Sequence, residues 1–246
     1  MRLLLILLLP ILLCTSVRAQ ETTVSSPTNL IGAWQSSYLT ADGRPAKLFM
    51  IVAPAHMSMV SYNEADGAFI STLGGSWRAD WKSFGVTYEY DSSDTAKVGN
   101  STTFDYELTG DILVFNGSRF WTRVDDGKEG AVAGAWEITG RKVDGKLQDL
   151  SDRRTGPRKT MKILSGTRFQ WIAYNTNTGQ FSGTGGGSYT TNADGLYVEK
   201  IEFFSRDDSR VGQQLSFNYA VDASGWVHKG MSSKGDPIHE IWTLRQ

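Results

Sequence analysis

Glu199 and His228 are the two side chains in this 246-residue sequence whose types and positions could support chemistry. Glu199 lies in the run Tyr197-Val198-Glu199-Lys200-Ile201-Glu202-Phe203. Period-two alternation there places Tyr197, Glu199, Ile201 and Phe203 on one strand face, with Val198, Lys200 and Glu202 on the other. Trp226 and His228 share a face in the same way. A carboxylate held on an inward face loses hydration, which would raise its pKa and suit it to general acid–base work beside an imidazole. The bland reading is a hydrogen-bonded core network of Glu199 with Tyr197, and His228 near the end of a barrel; surface placement is the third. Other chemistries find less support. His56, His228 and His239 are the only histidines, and no two have metal-ligand spacing. A serine triad lacks its Gly-x-Ser-x-Gly elbow. The single cysteine, Cys14, falls in an N-terminal apolar segment. Haem ligation would rest on His228 alone. The sequence predicts no metal and no cofactor, and it favours a non-enzyme.

The elements that must position these residues occur twice. Lys47–Trp77 lies without a gap over Lys159–Tyr189, pairing Ile51 with Ile163, Tyr62 with Tyr174, Asn63 with Asn175, Gly67 with Gly179 and Phe69 with Phe181. Gly74-Gly75-Ser76 falls over Gly186-Gly187-Ser188, and after one inserted residue Tyr88-Glu89-Tyr90 falls over Ile201-Glu202-Phe203. Each copy opens with Gly-Ala-Trp, at Gly32 and Gly134, and closes with a Trp-Thr strand, at Trp121 and Trp242. A period near a hundred residues makes each copy a domain rather than one layer of a solenoid. Alternating runs such as Leu215–Val221, with turns such as Ala65-Asp66-Gly67 and Ala193-Asp194-Gly195, predict short strands throughout. The expected fold is all-β: two tandem antiparallel up-and-down barrels of about eight strands each. The Gly-rich run Gly183–Ser188 lacks the Lys-Ser/Thr of a phosphate loop and reads as a bend at a barrel corner. Glu202 recurs as Glu89, which assigns it to the fold or the surface.

Arg2, the apolar stretch Leu3–Leu13 and the Val17-Arg18-Ala19 site read as an export signal. The expected organisation is a signal over 1–19, a polar leader over 20–29, a first barrel over 30–125, a linker over 126–131 and a second barrel over 132–246. Removing Arg2 and Arg18 with the signal lowers the 25 basic residues to 23 against 26 acidic, a net charge of −3. Without a basic stripe, nucleic-acid binding has no electrostatic footprint. No later run is long enough to span a membrane as a helix. Eight tryptophans, nine tyrosines and eleven phenylalanines offer ample core in place of disulfides. The oligomeric state is not readable.

The Gly-x-Trp opening of an all-β domain resembles the first-strand motif of lipocalins and the wider calycin group. That resemblance implies a small barrel closed at one end by the tryptophan, with an arginine from near the last strand lying across its face. Trp34 with Arg123 and Trp136 with Arg245 are the candidates. Arg123 follows Trp121 by two residues and Arg245 follows Trp242 by three, so in regular strands the two arginines point to opposite faces. Residues 183–242, with Phe203-Phe204-Ser205-Arg206-Asp207-Asp208-Ser209-Arg210, are similar to a family of uncharacterised secreted bacterial proteins with lipocalin-like domains, which implies export.

The expected function is an exported, periplasmic or secreted, non-enzymatic binding protein. Copy one has Val86 or Thr87 where copy two has Glu199, and Leu113 and Phe115 where copy two has Trp226 and His228. The second barrel, lined by Tyr189, Tyr197, Glu199, Phe217, Tyr219, Trp226 and His228, would then hold a small apolar or amphipathic ligand, with the first barrel structural. One alternative is a protein- or polymer-interaction module with solid barrels, anchored by exposed Trp77, Trp81 and Trp171. The other is an enzyme using Glu199 and His228.

Overall fold

The computed structural model describes residues 27–128 and 130–245; the segment expected to be an export signal, 1–19, and most of the expected leader lie outside them. Eight antiparallel strands close the first barrel. They are β1 (Gly32–Leu39), β2 (Pro45–Val52), β3 (His56–Asn63), β4 (Phe69–Ala79), β5 (Ser83–Asp91), β6 (Ser101–Thr109), β7 (Ile112–Phe115) and β8 (Arg119–Asp125), with β8 returning to pair with β1. The second barrel repeats the plan with β9 (Gly134–Val143), β11 (Arg158–Leu164), β12 (Arg168–Asn175), β13 (Phe181–Thr191), β14 (Leu196–Phe204), β15 (Gln214–Asp222), β16 (Gly225–Met231) and β17 (Pro237–Leu244). It closes where β17 pairs with β9, and a short β10 (Lys146–Asp149) extends β9 as an outer hairpin. The only helical turns among the described residues are short 3-10 segments. Closure leaves no edge on either barrel beyond that hairpin.

The repeated glycines shape both barrels alike. A Cβ on Gly75 would lie 2.0 Å from the Thr87 carbonyl oxygen, and one on Gly187 would lie 2.1 Å from that of Lys200. Only glycine permits this approach, and the ladder slips beside it, between Gly74 and Gly75 and between Gly186 and Gly187. The extra residue in the facing strand is Glu89 in one copy and Glu202 in the other. Strict alternation therefore ends there. Tyr88 and Ile201 stay inside their own barrels, while Tyr90 and Phe203 join clusters outside them. Phe203 thus does not share the face of Tyr197, Glu199 and Ile201, a correction that the bulge explains.

Those outward residues meet across a pseudo-twofold interface between the barrels. Tyr62 Oη donates to Glu202 at 3.2 Å, and Tyr174 Oη donates to Glu89, so each tyrosine bonds the glutamate of the other barrel. Each glutamate also meets a basic residue of its own barrel at matching register: Arg168 lies 2.7 Å from Glu202, and His56 lies 3.6 Å from Glu89. Phe69 and its counterpart Phe181 stack on each other at 5.7 Å, as Tyr90 and Tyr174 approach at 4.7 Å and Tyr62 and Phe203 at 5.1 Å. Gln170 Nε2 donates to both Thr72 and Thr184, the same position in the two copies, and its Oε1 accepts from Ser58. Apolar residues of both barrels, including Ile51, Ile163 and Ile172, are buried around this network.

The calycin-like arginine holds in the first barrel alone. Arg123 lies 4.1 Å over the Trp34 ring and donates to the Asn29 and Ile31 carbonyls. Arg245, displaced by one residue, instead enters the interface and forks onto both oxygens of Glu89 at 2.9 Å.

Burial alone would raise the Glu89 carboxyl, but the His56, Arg245 and Tyr174 contacts outweigh it and hold the group far below the usual range. A carboxylate lowered on folding stabilises above its unfolded pKa and loses that contribution as pH falls through the folded one. Neighbouring Glu137 is raised by burial and offsets part of the loss. Stability should therefore decline as pH drops below the ordinary value of 4.5. Glu89→Gln should cost roughly 3 kcal/mol at neutral pH, because Arg245 loses its forked partner and keeps only Glu137, 3.9 Å away. It should also shrink the difference between urea unfolding at neutral and at acid pH.

Candidate functional site

The described residues offer two contrasting interiors at equivalent positions. In the second barrel, Lys162 pairs across the ladder with Trp136, the register held in the first by Met50 and Trp34. The Lys162 ammonium reaches Glu199 Oε1 at 2.5 Å, and Tyr197 Oη donates to the same oxygen at 2.8 Å. Both charged side chains are nearly sealed from solvent, at 5% and 6% exposure. Rings of Trp226, Tyr197, Phe169, Trp242 and Phe217 surround the ammonium at 5.1–6.0 Å from their centroids. A cation buried this deeply is tolerable because a carboxylate and aromatic faces replace its water.

A second pair completes this interior. His228 faces Glu240 across β16 and β17, with Nδ1 3.4 Å from Oε2, and Trp242 Nε1 donates to that oxygen at 3.2 Å. Burial, then the nearby Lys162 charge, pushes the imidazole below its ordinary value. Neutral His228 therefore donates from Nδ1, leaving Nε2 a buried acceptor without a partner among the described residues. The Tyr197 hydroxyl is pushed well up by burial and then by Glu199.

The residues that the sequence nominates do come together. Tyr189, Tyr197, Glu199, Phe217, Trp226 and His228 are buried in this interior, while Tyr219 is partly buried at its margin and donates to Asn192 O. They pack on one another: Phe217 and His228 rings lie 4.0 Å apart, and Tyr197 touches Tyr189, Phe217, Trp226 and His228. Glu199 is committed to Lys162 and Tyr197, and His228 to Glu240. Sequence reasoning missed Lys162 and Glu240. The available signals were a lysine where copy one has Met50, and a glutamate two residues before Trp242 on the same face. Of the three suggested surface tryptophans, only Trp81 is exposed, at 58%. Trp77 stacks on Phe84 and donates to Ala53 O, and Trp171 packs edge-on against Phe204.

The first barrel holds a cavity. A space of about 350 Å³ is lined by Leu48, Met50, Met57, Met59, Leu73, Phe84, Val86, Tyr88, Phe104, Phe115 and Trp121. Tyr38, Ser61, Ser71, Asn116, Ser118 and Arg119 add polar groups to its lining. Register explains the difference. Where the second barrel has Lys162, Glu199, Trp226, His228 and Glu240, the first has Met50, Val86, Leu113, Phe115 and Arg119.

Residues 131–244, which contain the second barrel, match the family described as Domain of unknown function (DUF4488). No curated protein is significantly similar to the chain.

The second interior is a mutually dependent ion cluster, and that dependence is measurable. Lys162→Met should destabilise by about 3–5 kcal/mol, because Glu199 keeps a buried charge without its partner. Lys162→Met with Glu199→Val, which copies the first barrel, should lie closer to wild type than either single change in denaturant unfolding.

Proposed function

We propose that the protein is an exported, non-enzymatic binding protein whose first barrel holds a small apolar or amphipathic molecule. The observation that carries this reading is the apolar lumen of about 350 Å³ in the first barrel, set against the ion- and ring-filled interior of the second. Sequence expectation placed the ligand among the aromatic residues of the second barrel; the contrast between the interiors moves the proposal to the first. A concave, mainly apolar space with a few convergent polar groups has the composition of small-ligand sites. Binding would draw on apolar surface removed from water, at roughly 25 cal/mol per Å². The methionines Met50, Met57 and Met59 give the wall side chains that adapt to irregular apolar shapes. The N-terminal apolar segment and small-residue site support export to the periplasm or beyond. The second barrel would serve as a rigid partner joined through the pseudo-twofold interface.

Ligand-dependent unfolding of the mature protein tests this reading. A single-chain amphiphile at a hundred times its dissociation constant should stabilise the binding unit by about 2.7 kcal/mol. Leu73→Trp, which fills the lumen, should abolish the shift while the protein remains folded. A lipid and metabolite panel that leaves the midpoint unmoved would remove the proposal.

A further inference from the structure

Cations that are scattered along the sequence are gathered by the fold at one end of the second barrel. The β9–β10 turn, the 3-10 segment Ser151–Arg154 and the β16–β17 turn all lie at that end. Together, residues 141–158 and 229–236 carry eight basic side chains against four acidic ones, in a chain that is acidic as a whole. None of the eight makes an ion pair among the described residues, whereas Lys159, beside them, is held by Glu137 at 3.3 Å. Burial, then the charges of Arg158 and Arg141, pushes the Arg153 guanidinium below its ordinary value. Lys142 pairs with Leu147, Lys229 pairs with His239, and the pairing of Arg141 with Glu240 sets His239 beside Lys142. Burial, then Lys229 and Lys142, pushes that imidazole down as well. One row across β10, β9, β17 and β16 therefore reads Leu147, Lys142, His239, Lys229. The next row sets Lys146 opposite Val143. Val143, Leu147 and Met231, all at this end, are exposed at 47%, 58% and 52%.

Like charges held this close repel one another until an anion faces them. Apolar side chains standing among them gain only when something other than water covers them. An anionic bilayer meets both demands at once, with phosphates at its surface and acyl chains just beneath. A soluble polyanion would answer the charges and leave Val143, Leu147 and Met231 in water. We propose that this end of the second barrel docks on an anionic phospholipid surface, with Lys142, Lys146 and Lys229 against the headgroups and Val143 and Leu147 inserted between them. The outer hairpin suits the contact. All four residues of β10 are exposed and pair only with β9, so they reach a surface without opening the closed barrel. Docking of this end does not depend on what the first lumen holds.

The test is flotation of the mature protein with lipid vesicles. Vesicles of equimolar phosphatidylcholine and phosphatidylglycerol should carry the protein at low ionic strength and release it as salt rises, while pure phosphatidylcholine should carry little. Lys142→Gln and Lys146→Gln should each weaken partitioning about fivefold. Val143→Ser combined with Leu147→Ser should weaken it several-fold and leave its salt dependence in place. Lys82→Gln, at an exposed lysine of the first barrel, should change nothing, and unchanged urea midpoints should show every variant folded. Binding to neither vesicle, equal binding to both, or undiminished binding with both lysines replaced would overturn the proposal. So would undiminished partitioning of the Val143→Ser, Leu147→Ser variant together with displacement by soluble polyphosphate, which would make this face a polyanion site.

Discussion

The close approach of two strands at a glycine pair governs the architecture. At Gly75 and Gly187 the facing carbonyl oxygen sits where any Cβ would have to be. The strand must bend, the facing strand must accommodate an extra residue, and that residue is a glutamate in both copies. A bulge re-aims side chains, and here it turns Glu89 with Tyr90, and Glu202 with Phe203, away from their own lumens. The outward glutamates then find the other copy's tyrosines. A local backbone constraint, repeated once, thus becomes a self-complementary interface of the kind a twofold dimer uses, formed within a single chain.

This arrangement separates two sets of positions that a repeated fold would otherwise hold alike. Gly67, Phe69, Gly74, Gly75 and Glu89, with their counterparts, are held in common because both barrels use them to meet each other and to bend. The lumen positions are under no such mutual constraint. Replacing an apolar side chain by a buried charge is costly unless a partner and further hydrogen bonds arrive with it, so the second barrel's polar residues come as a set. Lys162, Glu199, Tyr197, His228, Glu240 and Trp242 form connected pairs within one interior. The first barrel has no buried charge at those positions, and Val86 in place of Glu199 and Leu113 in place of Trp226 leave space.

The duplication, the all-β class and the strand alternation were legible because they are periodic properties of the chain. Glycine pairs and Asp-Gly turns also report backbone geometry directly. The faces of Tyr197, Glu199, Trp226 and His228 followed from period two, and all four are buried. Phe203 did not follow, since a bulge adds one residue to the count and alternation carries no mark of where that happens. Lys162 was hidden between Met161 and Ile163, where a lysine reads as the wet side of a strand; its partner, Glu199, lies 37 residues away. The openness of either lumen was illegible because it depends on the summed volume of side chains from all strands. Glu89 and Glu202 were visible as a recurring pair, but nothing local to either reveals that its donor belongs to the other domain.

A single residue of spacing distinguishes how the two barrels end. In the first, Arg123 folds back across Trp34 and ties the closing strand to the carbonyls of Asn29 and Ile31. In the second, the arginine comes one residue later relative to its tryptophan and leaves Trp136, which is met edge-on by Trp226 at 5.8 Å instead. Arg245 then carries its charge into the interface, where Glu89 and the Tyr174 hydroxyl receive it. The asymmetry has a physical reason. On the first barrel's side the basic residue beside the glutamate is His56, 3.6 Å away, whereas Arg168 holds the matching place beside Glu202 at 2.7 Å. The histidine contact is the longer of the two, and the displaced arginine adds a forked ion pair to Glu89 that Glu202 has no need of beside Arg168. The last strand of the second barrel therefore contributes both to closing its own barrel and to fixing the first against it.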